Sequence, residues 1–455
     1  MRRWNPERIA EAGGARLLTR PGDTGQGPDR AVIDSRQAGP GALFVGLPGA
    51  NLNGGGFAAD ALAAGAWGAL VGPEHASAAA SAATAEQQVL EAADPLQVLH
   101  RLATAWRREL GARVIGVTGS TGKTSTKELL LAVLAPHRRT VASRANFNTE
   151  VGLPLEVLAA PAQTEVLVLE MAMRGTGQIA ELAAIAEPDV GVVVSVGPVH
   201  LELLGTIEAV AAAKAELIAG LPPDGTAVIP AGEPLLDPHL RNDVKTITFG
   251  EQGDVRALAA DDDRMWIGVG REMITLDVSF RQAHLRRNLL AAVAAAHAIG
   301  VVPRGRVELA LTPGRGERVG LSSGVTLIDD CYNANPMSMR AALEDLADTA
   351  ERDRHARRVA VLGDMLELGE RERDFHAQLG HQAHTAGVDV LVTVGPQAAA
   401  MSETFVGTIH RARDANEAAR LVPPLLETGD VVLVKGSRAV GLELVCRALR
   451  NGAGT

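Results

Sequence analysis

The run Val114-Ile-Gly-Val-Thr-Gly-Ser-Thr-Gly-Lys-Thr-Ser-Thr-Lys127 decides how the rest of this chain is read. It opens with apolar, β-branched residues, as a buried strand does, and passes through a glycine-rich turn into helix-forming residues. Backbone N–H groups of such a turn, together with the N-terminus of the helix that follows, converge on phosphate oxygens. Gly119, Ser120, Thr121, Gly122, Lys123, Thr124 and Ser125 form the loop, with Lys123 placed to reach the β- and γ-phosphates and the Thr124 hydroxyl to ligate Mg²⁺. The common phosphate-loop pattern has glycine where Val117 stands; Gly116 and Gly119 make this a compact variant. A purely structural strand–turn–helix would also use glycine, but Lys-Thr directly after the turn favours a nucleotide. The loop selects ATP or GTP and leaves the use of the energy open.

Outward from this loop, short apolar runs alternate with amphipathic stretches. Val166–Glu170 and Val190–Val196 read as buried parallel strands, and Lys127–Leu134 and Ile207–Leu221 as helices. Upstream, Ala31–Asp34, Ala42–Gly46 and Trp67–Val71 read as strands, Phe57–Ala64 as a helix, 75–88 as a surface helix rather than a linker, and Pro95–Leu110 as a helix. Downstream, Val244–Phe280 changes to short alternating strands, an expected antiparallel flank, followed by a helix at Arg287–Ile299. A second boundary is expected at Pro303–Pro313, beyond which Val325–Asp329, Arg358–Leu362, Val388–Val394 and Asp430–Val434 form a second doubly wound sheet. The 455 residues suit about three domains at roughly 150 residues each. The limits expected are 1–92, 93–312 and 313–455.

Composition excludes several classes of function. Aromatics are 3% of the chain and net charge is −10 with no basic stripe, which argues against nucleic acid as a partner. The N-terminal MRRWNPERIAEAGG carries charge without an apolar stretch, so no signal peptide is expected, and no run is long and apolar enough to span a membrane. A cytoplasmic protein is expected. Two cysteines, Cys331 and Cys446, make neither a disulfide framework nor a metal-ligand spacing.

Three residues narrow the chemistry. Glu170 ends a strand at the edge where a parallel sheet presents ligand groups, His200 follows the next strand by a short turn, and Lys214 lies in AAAKAEL among small residues. Each also has a bland reading: a solvated strand-end carboxylate, an incidental loop histidine, a helix lysine on a wet face.

The segments TGSTGKTSTKE, NFNTEVGLPL (146–155), LEMAMRGTGQIAEL (169–182), VGPVHLELLGTIEAVAAAKAEL (196–217) and RNLLAAVAAA (287–296) together resemble the Mur ligases, ATP-dependent amide-forming enzymes of peptidoglycan precursor synthesis. Within that family, DDCYNANPMSMRAAL (329–343), VLGDMLELGERERDFH (361–376) and LVKGSRAVGLE (433–443) look like the member that joins D-alanyl-D-alanine to UDP-N-acetylmuramoyl-tripeptide.

The resemblance implies a UDP-binding N-terminal α/β module, a central ATP-binding domain and a Rossmann-like third domain. It implies that Thr124 and Glu170 hold one Mg²⁺, that His200 holds a second, and that Lys214 is carbamylated, turning a cation into an oxygen ligand. It assigns Asn288 to the adenine, Arg315 to the ATP phosphates, and Asp330, Tyr332 and Asn333 to the nucleotide. Asn148, Thr149, Asn335, His376, Lys435, Ser437 and Arg438 are matched to substrate contacts, and Ser35 and Arg36 to the nucleotide-sugar. Cys331 stands where the family commonly has serine and reads as a small filler. Where the family usually has Asp-Gly-His before a phenylalanine, this chain has Asn53-Gly-Gly-Gly-Phe57, so a side-chain contact to the nucleotide-sugar is expected to be missing or supplied by backbone. The rivals are another amide ligase of the superfamily (diaminopimelate- or lysine-adding, or folylpolyglutamate synthase) and a non-catalytic nucleotide-binding regulator. The chain has no Asp-Asn-Pro-Arg segment of the diaminopimelate-adding type, and Lys123, Glu170, His200 and Lys214 together count against a regulator. A monomer is expected.

Overall fold

The computed structural model describes residues 1, 3–19, 26–144, 146–309, 313–352 and 356–452. Its strands form three sheets, each drawn from one stretch of chain. The first stretch contains α1 (Pro6–Gly13), β1 (Arg16–Leu17), β2 (Arg30–Val32), β3 (Ala42–Val45), α2 (Ala58–Ala63), β4 (Gly68–Val71), α3 (Pro73–Ala82) and β5 (Gln88–Glu91). Strand order is β1-β5-β4-β3-β2, parallel except for the β1–β5 pair. The helix expected over 75–88 is thus two elements. Pro73 starts it one residue after Gly72 and it ends at Ala82, whereas the β-prone Gln88-Val-Leu-Glu pairs with β4.

Helix α4 (Pro95–Leu110), N-capped by the Asp94 carboxylate, leads into the second stretch. There follow β6 (Arg113–Thr118), α5 (Lys123–Leu134), β7 (Thr140–Ala142), α6 (Gly152–Ala159), β8 (Val166–Glu170), α7 (Gln178–Ala186), β9 (Val190–Val193), α8 (Leu201–Leu204), α9 (Ile207–Ala219), β10 (Thr226–Pro230), β11 (Lys245–Phe249), β12 (Val255–Ala260), β13 (Arg264–Val269), β14 (Glu272–Val278), α10 (Ala283–Ala298) and β15 (Gly305–Val307). These strands make one sheet in the order β15-β14-β13-β12-β11-β10-β9-β6-β8-β7. The expected antiparallel flank is only partly so. β10 and β11 pair in parallel, and antiparallel pairing is confined to β12–β13–β14. The flank is a continuation of the main sheet. Strand β6 lies between β8 and β9, so the chain departs to opposite sides of it, and a crevice opens at its carboxyl end.

The third stretch contains β16 (Glu317–Gly320), β17 (Thr326–Asp329), α11 (Pro336–Arg352), β18 (Arg358–Gly363), α12 (Glu372–Thr385), β19 (Val390–Val394), β20 (Thr408–Ala412), α13 (Ala415–Leu421), β21 (Val431–Lys435) and α14 (Glu443–Gly452). Its order is β16-β17-β21-β18-β19-β20, parallel except for β16. The boundary segment 303–313 includes residues 310–312, which lie outside the described residues.

The first two stretches share a core. Trp4 and Ile9 of the N-terminal segment pack with Val98, Leu102 and Trp106 of α4, and the same cluster continues to Leu153 and Leu169. Trp4 and Trp106 meet edge to face with centroids 5.6 Å apart, and the Trp4 indole N–H donates to Glu109 Oε2 at 2.7 Å. Cutting the chain after residue 92 would strip this face of α4.

Candidate active site

The turn after β6 is laced to the turn after β9. Ser120 N donates to Ser195 O at 3.0 Å, Thr121 N to Ser195 Oγ at 2.9 Å, and Gly197 N to Ser120 Oγ at 2.9 Å. Gly122 adopts φ +80°, and a Cβ there would come within 2.9 Å of the Asn288 amide and of Val194. Glycine therefore lets α10 bring Asn288 against the loop. Lys123 Nζ donates to Gly119 O at 2.6 Å, while Gly119 itself lies outside the cavity lining. Burial lowers the Lys123 pKa, Glu170 raises it, and Arg315 lowers it further.

Thr124 Oγ1 donates to Glu170 Oε2 at 2.8 Å, and Asn148 Nδ2 to Glu170 Oε1 at 2.8 Å. Glu170 is only 3% exposed, so a hydroxyl and a carboxylate are held together in a dry pocket, the oxygen donor set that Mg²⁺ prefers. Residues 120–125, Asn148, Thr149, Glu170, His200 and Asn288 line one side of a cavity of about 780 Å³.

The other side comes from the third domain. Arg315, Asp330, Tyr332, Asn333, Asn335 and Lys435 line it. Lys435 Nζ donates to Asp330 Oδ2 at 2.6 Å and to Asn333 O at 2.9 Å, holding the turn after β17. Burial raises the Asp330 carboxyl and Lys435 opposes this. The Arg315 guanidinium lies over the Tyr332 ring at 3.9 Å, and its buried Nε has no hydrogen-bond partner, a donor left for an anion. Asn335 Nδ2 donates to Ser120 O at 3.3 Å, so the two domains touch across the phosphate loop.

Other expected site residues lie elsewhere. Lys214, on α9, is 2% exposed and sits behind the cavity lining. Burial, and then the positive Lys123, hold its pKa well below the usual lysine range, and no carboxylate offsets them. This is no wet-face lysine. His376 is fully buried: Met365 N donates to its Nε2 at 2.9 Å and its Nδ1 donates to Glu372 O at 2.7 Å. Both nitrogens are committed to backbone, so in this structure it braces a loop and does not line the cavity. Ser437 Oγ accepts from Leu366 N at 2.9 Å, and Arg438 lies 5.5 Å from the Tyr332 ring centroid; neither lines the cavity. Ser35 and Arg36 lie on the first domain away from the cavity, with Arg36 paired to Asp34 at 2.7 Å. Near them Asn53–Phe57 makes a tight turn. A Cβ on Gly55 would come 2.4 Å from the His75 ring, which fills that space with its Nε2 making no hydrogen bond and lying 3.9 Å from Glu74 Oε1. Cys331 and Cys446 are both free and buried, with their sulfurs within 4.8 Å of each other and of an Asp329 carboxylate oxygen; the neighbouring Cys331, then burial, pushes the Cys446 thiol up, as inert packing requires.

Sequence reasoning missed His284 and Ser195. His284 lines the cavity one turn before Asn288, and that i, i+4 spacing was the available signal. It is exposed to the cavity, and desolvation, then Lys435 and Arg318, push its pKa down to about 4. Ser195 was hidden because its role is a pairing between turns distant in sequence.

Family models match the chain as Mur ligase family, catalytic domain (residues 13–107), Mur ligase middle domain (117–296) and Mur ligase, glutamate ligase domain (314–438). The chain belongs to the Mur ligase family. It is 38% identical over 469 residues, covering 92% of this chain and 91% of the relative, to the UDP-N-acetylmuramoyl-tripeptide–D-alanyl-D-alanine ligase of Mycobacterium tuberculosis. It is 35% identical to the Bacillus subtilis ligase of the same name, over 78% of this chain and 80% of that one. The crystal structure of MurF from Acinetobacter baumannii superposes with a TM-score of 0.84 at 26% identity, covering 98% of this chain and 99% of that chain. MurF from Thermotoga maritima in complex with ADP superposes with a TM-score of 0.79 at 29% identity, over 93% and 97% of the two chains.

Proposed function

We propose that this chain is an ATP-dependent ligase that joins D-alanyl-D-alanine to UDP-N-acetylmuramoyl-tripeptide in peptidoglycan precursor synthesis. The observation that carries the reading is the cavity itself. A phosphate loop from the second domain and Arg315, Asp330 and Lys435 from the third line one space, as a two-substrate phosphoryl and acyl transfer requires. Similarity over most of the chain to ligases of that name supports the substrates.

The domains are read as 1–92 for the UDP-sugar, 93–312 for ATP and 313–455 for the incoming dipeptide. Ser35 and Arg36 contact the nucleotide-sugar, and His75 supplies the side chain that the Asn53–Gly56 turn lacks. Asn288 faces the adenine. Asn148, Thr149 and Asn335 contact the tripeptide side, and Lys435, Ser437 and Arg438 the third-domain substrate side. His376 acts by bracing the loop below it.

In the first step a terminal carboxylate oxygen of the tripeptide attacks the γ-phosphorus, the bond to the β-phosphate oxygen breaks, and ADP leaves. Two anions must approach, and Lys123 and Arg315 lower that cost by meeting the charge that develops on the transferred group. Thr124 and Glu170 would hold one Mg²⁺, and His200 a second, with an oxygen of carbamylated Lys214 supporting the pair. When bound, Mg²⁺ neutralises phosphate charge and polarises the reacting oxygens. Burial favours the uncharged amine of Lys214, the form that attacks CO₂. In the second step the amine of D-alanyl-D-alanine attacks the acyl carbon, loses a proton, and phosphate departs. Reliance on ATP and a UDP-linked substrate supports a cytoplasmic enzyme, and the chain is read as a monomer.

Phosphate release tests this directly. It is expected only when ATP, the UDP-linked tripeptide and D-alanyl-D-alanine are all present. Equal release with diaminopimelate, lysine or glutamate in place of the dipeptide would transfer the chain to another ligase specificity, and no release at all would favour a regulator.

A further inference from the structure

The segment between β9 and α8 and the loop after β18 meet outside the nucleotide contacts, and the contact joins the second domain to the third. The Glu367 carboxylate accepts from His200 Nδ1 through Oε2, and its other oxygen faces Arg174 Nε at 3.8 Å. The backbones also touch: Glu202 N donates to Glu367 O at 3.3 Å. Leu201, beside the histidine, packs on the cores of both domains.

Two features show that this is more than an interfacial ion pair. His200 and Glu367 both lie in the left-handed backbone region, at φ +53° and +63°. Each such conformation is strained for a residue other than glycine. The side chains are 26% and 34% exposed, and pairs that open to solvent contribute little to stability. Stability does not account for the pair. The Glu367 loop is instead held from three sides: by His376 on Met365 N, by Ser437 on Leu366 N at 2.9 Å, and by the Asp364 carboxylate on Ala398 N at 2.6 Å. On the other side, the Ser120–Gly197 bonds fix the start of the segment that carries His200.

We propose that Glu367 is the positioning residue through which the docked third domain sets the tautomer and ring orientation of His200. With Nδ1–H committed to the carboxylate, Nε2 is the nitrogen left with a lone pair for the cavity. The substrate-receiving domain thus completes a ligand of the ATP domain only when the two are together. This rests on the reading of His200 as a ligand for a divalent cation.

The test uses full-length protein, the non-hydrolysable ATP analogue AMP-PNP, and Mn²⁺ as the probe, with bound ion followed by electron paramagnetic resonance. His200→Ala is expected to weaken one class of Mn²⁺ and leave the other. Glu367→Gly suits the left-handed backbone, so its thermal midpoint is expected to hold or rise, yet it should weaken the same class by about 10–100-fold. Glu367→Gln keeps an acceptor for Nδ1–H and should retain most of the affinity. If His200→Ala weakens a class and Glu367→Gly does not, the inference is overturned while His200 stands as a ligand. If His200→Ala changes neither class, the reading of His200 fails and takes the inference with it. Should Glu367→Gly not fold, Glu367→Asn, which tolerates the same backbone but is one carbon short, decides the matter by the same readout.

Discussion

Replacing Lys214 with alanine separates a carbamate from an ordinary lysine. The substitution removes three buried methylenes beyond Cβ, which at ~0.8 kcal/mol each is a loss of about 2.4 kcal/mol. Against this, the fold no longer buries an amine that is 2% exposed and held well below its usual pKa. Burying an uncompensated polar group costs about 1–3 kcal/mol, so the two contributions nearly cancel. The variant should therefore fold with a midpoint close to that of the parent. Activity should move far more, because an oxygen supporting the cation site is gone. A fall in phosphate release of about 10²–10³ is expected, on the scale of losing one electrostatic group in an active site. ATP binding should survive, since Thr124 and Glu170 are untouched. Added formate or acetate should restore part of the rate by supplying an oxygen ligand, and CO₂ depletion should slow the parent but not the variant. The reasoning fails if Lys214→Ala folds and turns over like the parent, or if CO₂ depletion affects neither.

Three further perturbations test the site from other directions. Gly122→Ala places a methyl 2.9 Å from Asn288 and Val194 at a φ of +80°. Strain of about 1–3 kcal/mol should weaken ATP by about 5- to 140-fold by calorimetry, and unchanged affinity would mean the loop is not the phosphate site. Lys435→Met leaves the Asp330 carboxylate without its 2.6 Å partner and should cost about 3 kcal/mol in denaturant unfolding. Lys435→Met/Asp330→Asn should recover most of that, and equal losses would refute the pairing argument. His376 is kept neutral in the fold, its pKa lowered by burial. Below about pH 6.5 the unfolded chain takes up a proton that the folded histidine refuses. Stability is therefore full above that pH and is lost as pH falls through the depressed folded value. His376→Gln should flatten this part of a urea-midpoint profile between pH 7.5 and 5; an unchanged slope would place the acid sensitivity elsewhere.

Local chemistry made much of this protein legible in its sequence. Apolar, β-branched runs ending at glycine or a carboxylate identify β6 and β8, and with them the phosphate loop and Glu170, because strand period, turn residues and phosphate recognition are all set within a dozen neighbouring residues. The helix over 75–88 was misread for the same local reason: Ala and Ser carry little period, and only pairing with β4 shows that Gln88–Glu91 is a strand. What no window of sequence contains is which distant turns meet. The mesh of Ser120 with Ser195 and Gly197, the third-domain wall of the cavity, and the Glu367–His200 contact join residues 75 to more than 300 positions apart. Burial likewise depends on what packs above a helix. AAAKAEL is equally readable as a wet surface, and only the packing of α9 buries Lys214 and holds its pKa well below the usual lysine range. Desolvation is a property of the whole surrounding volume, which exists only once the chain has folded.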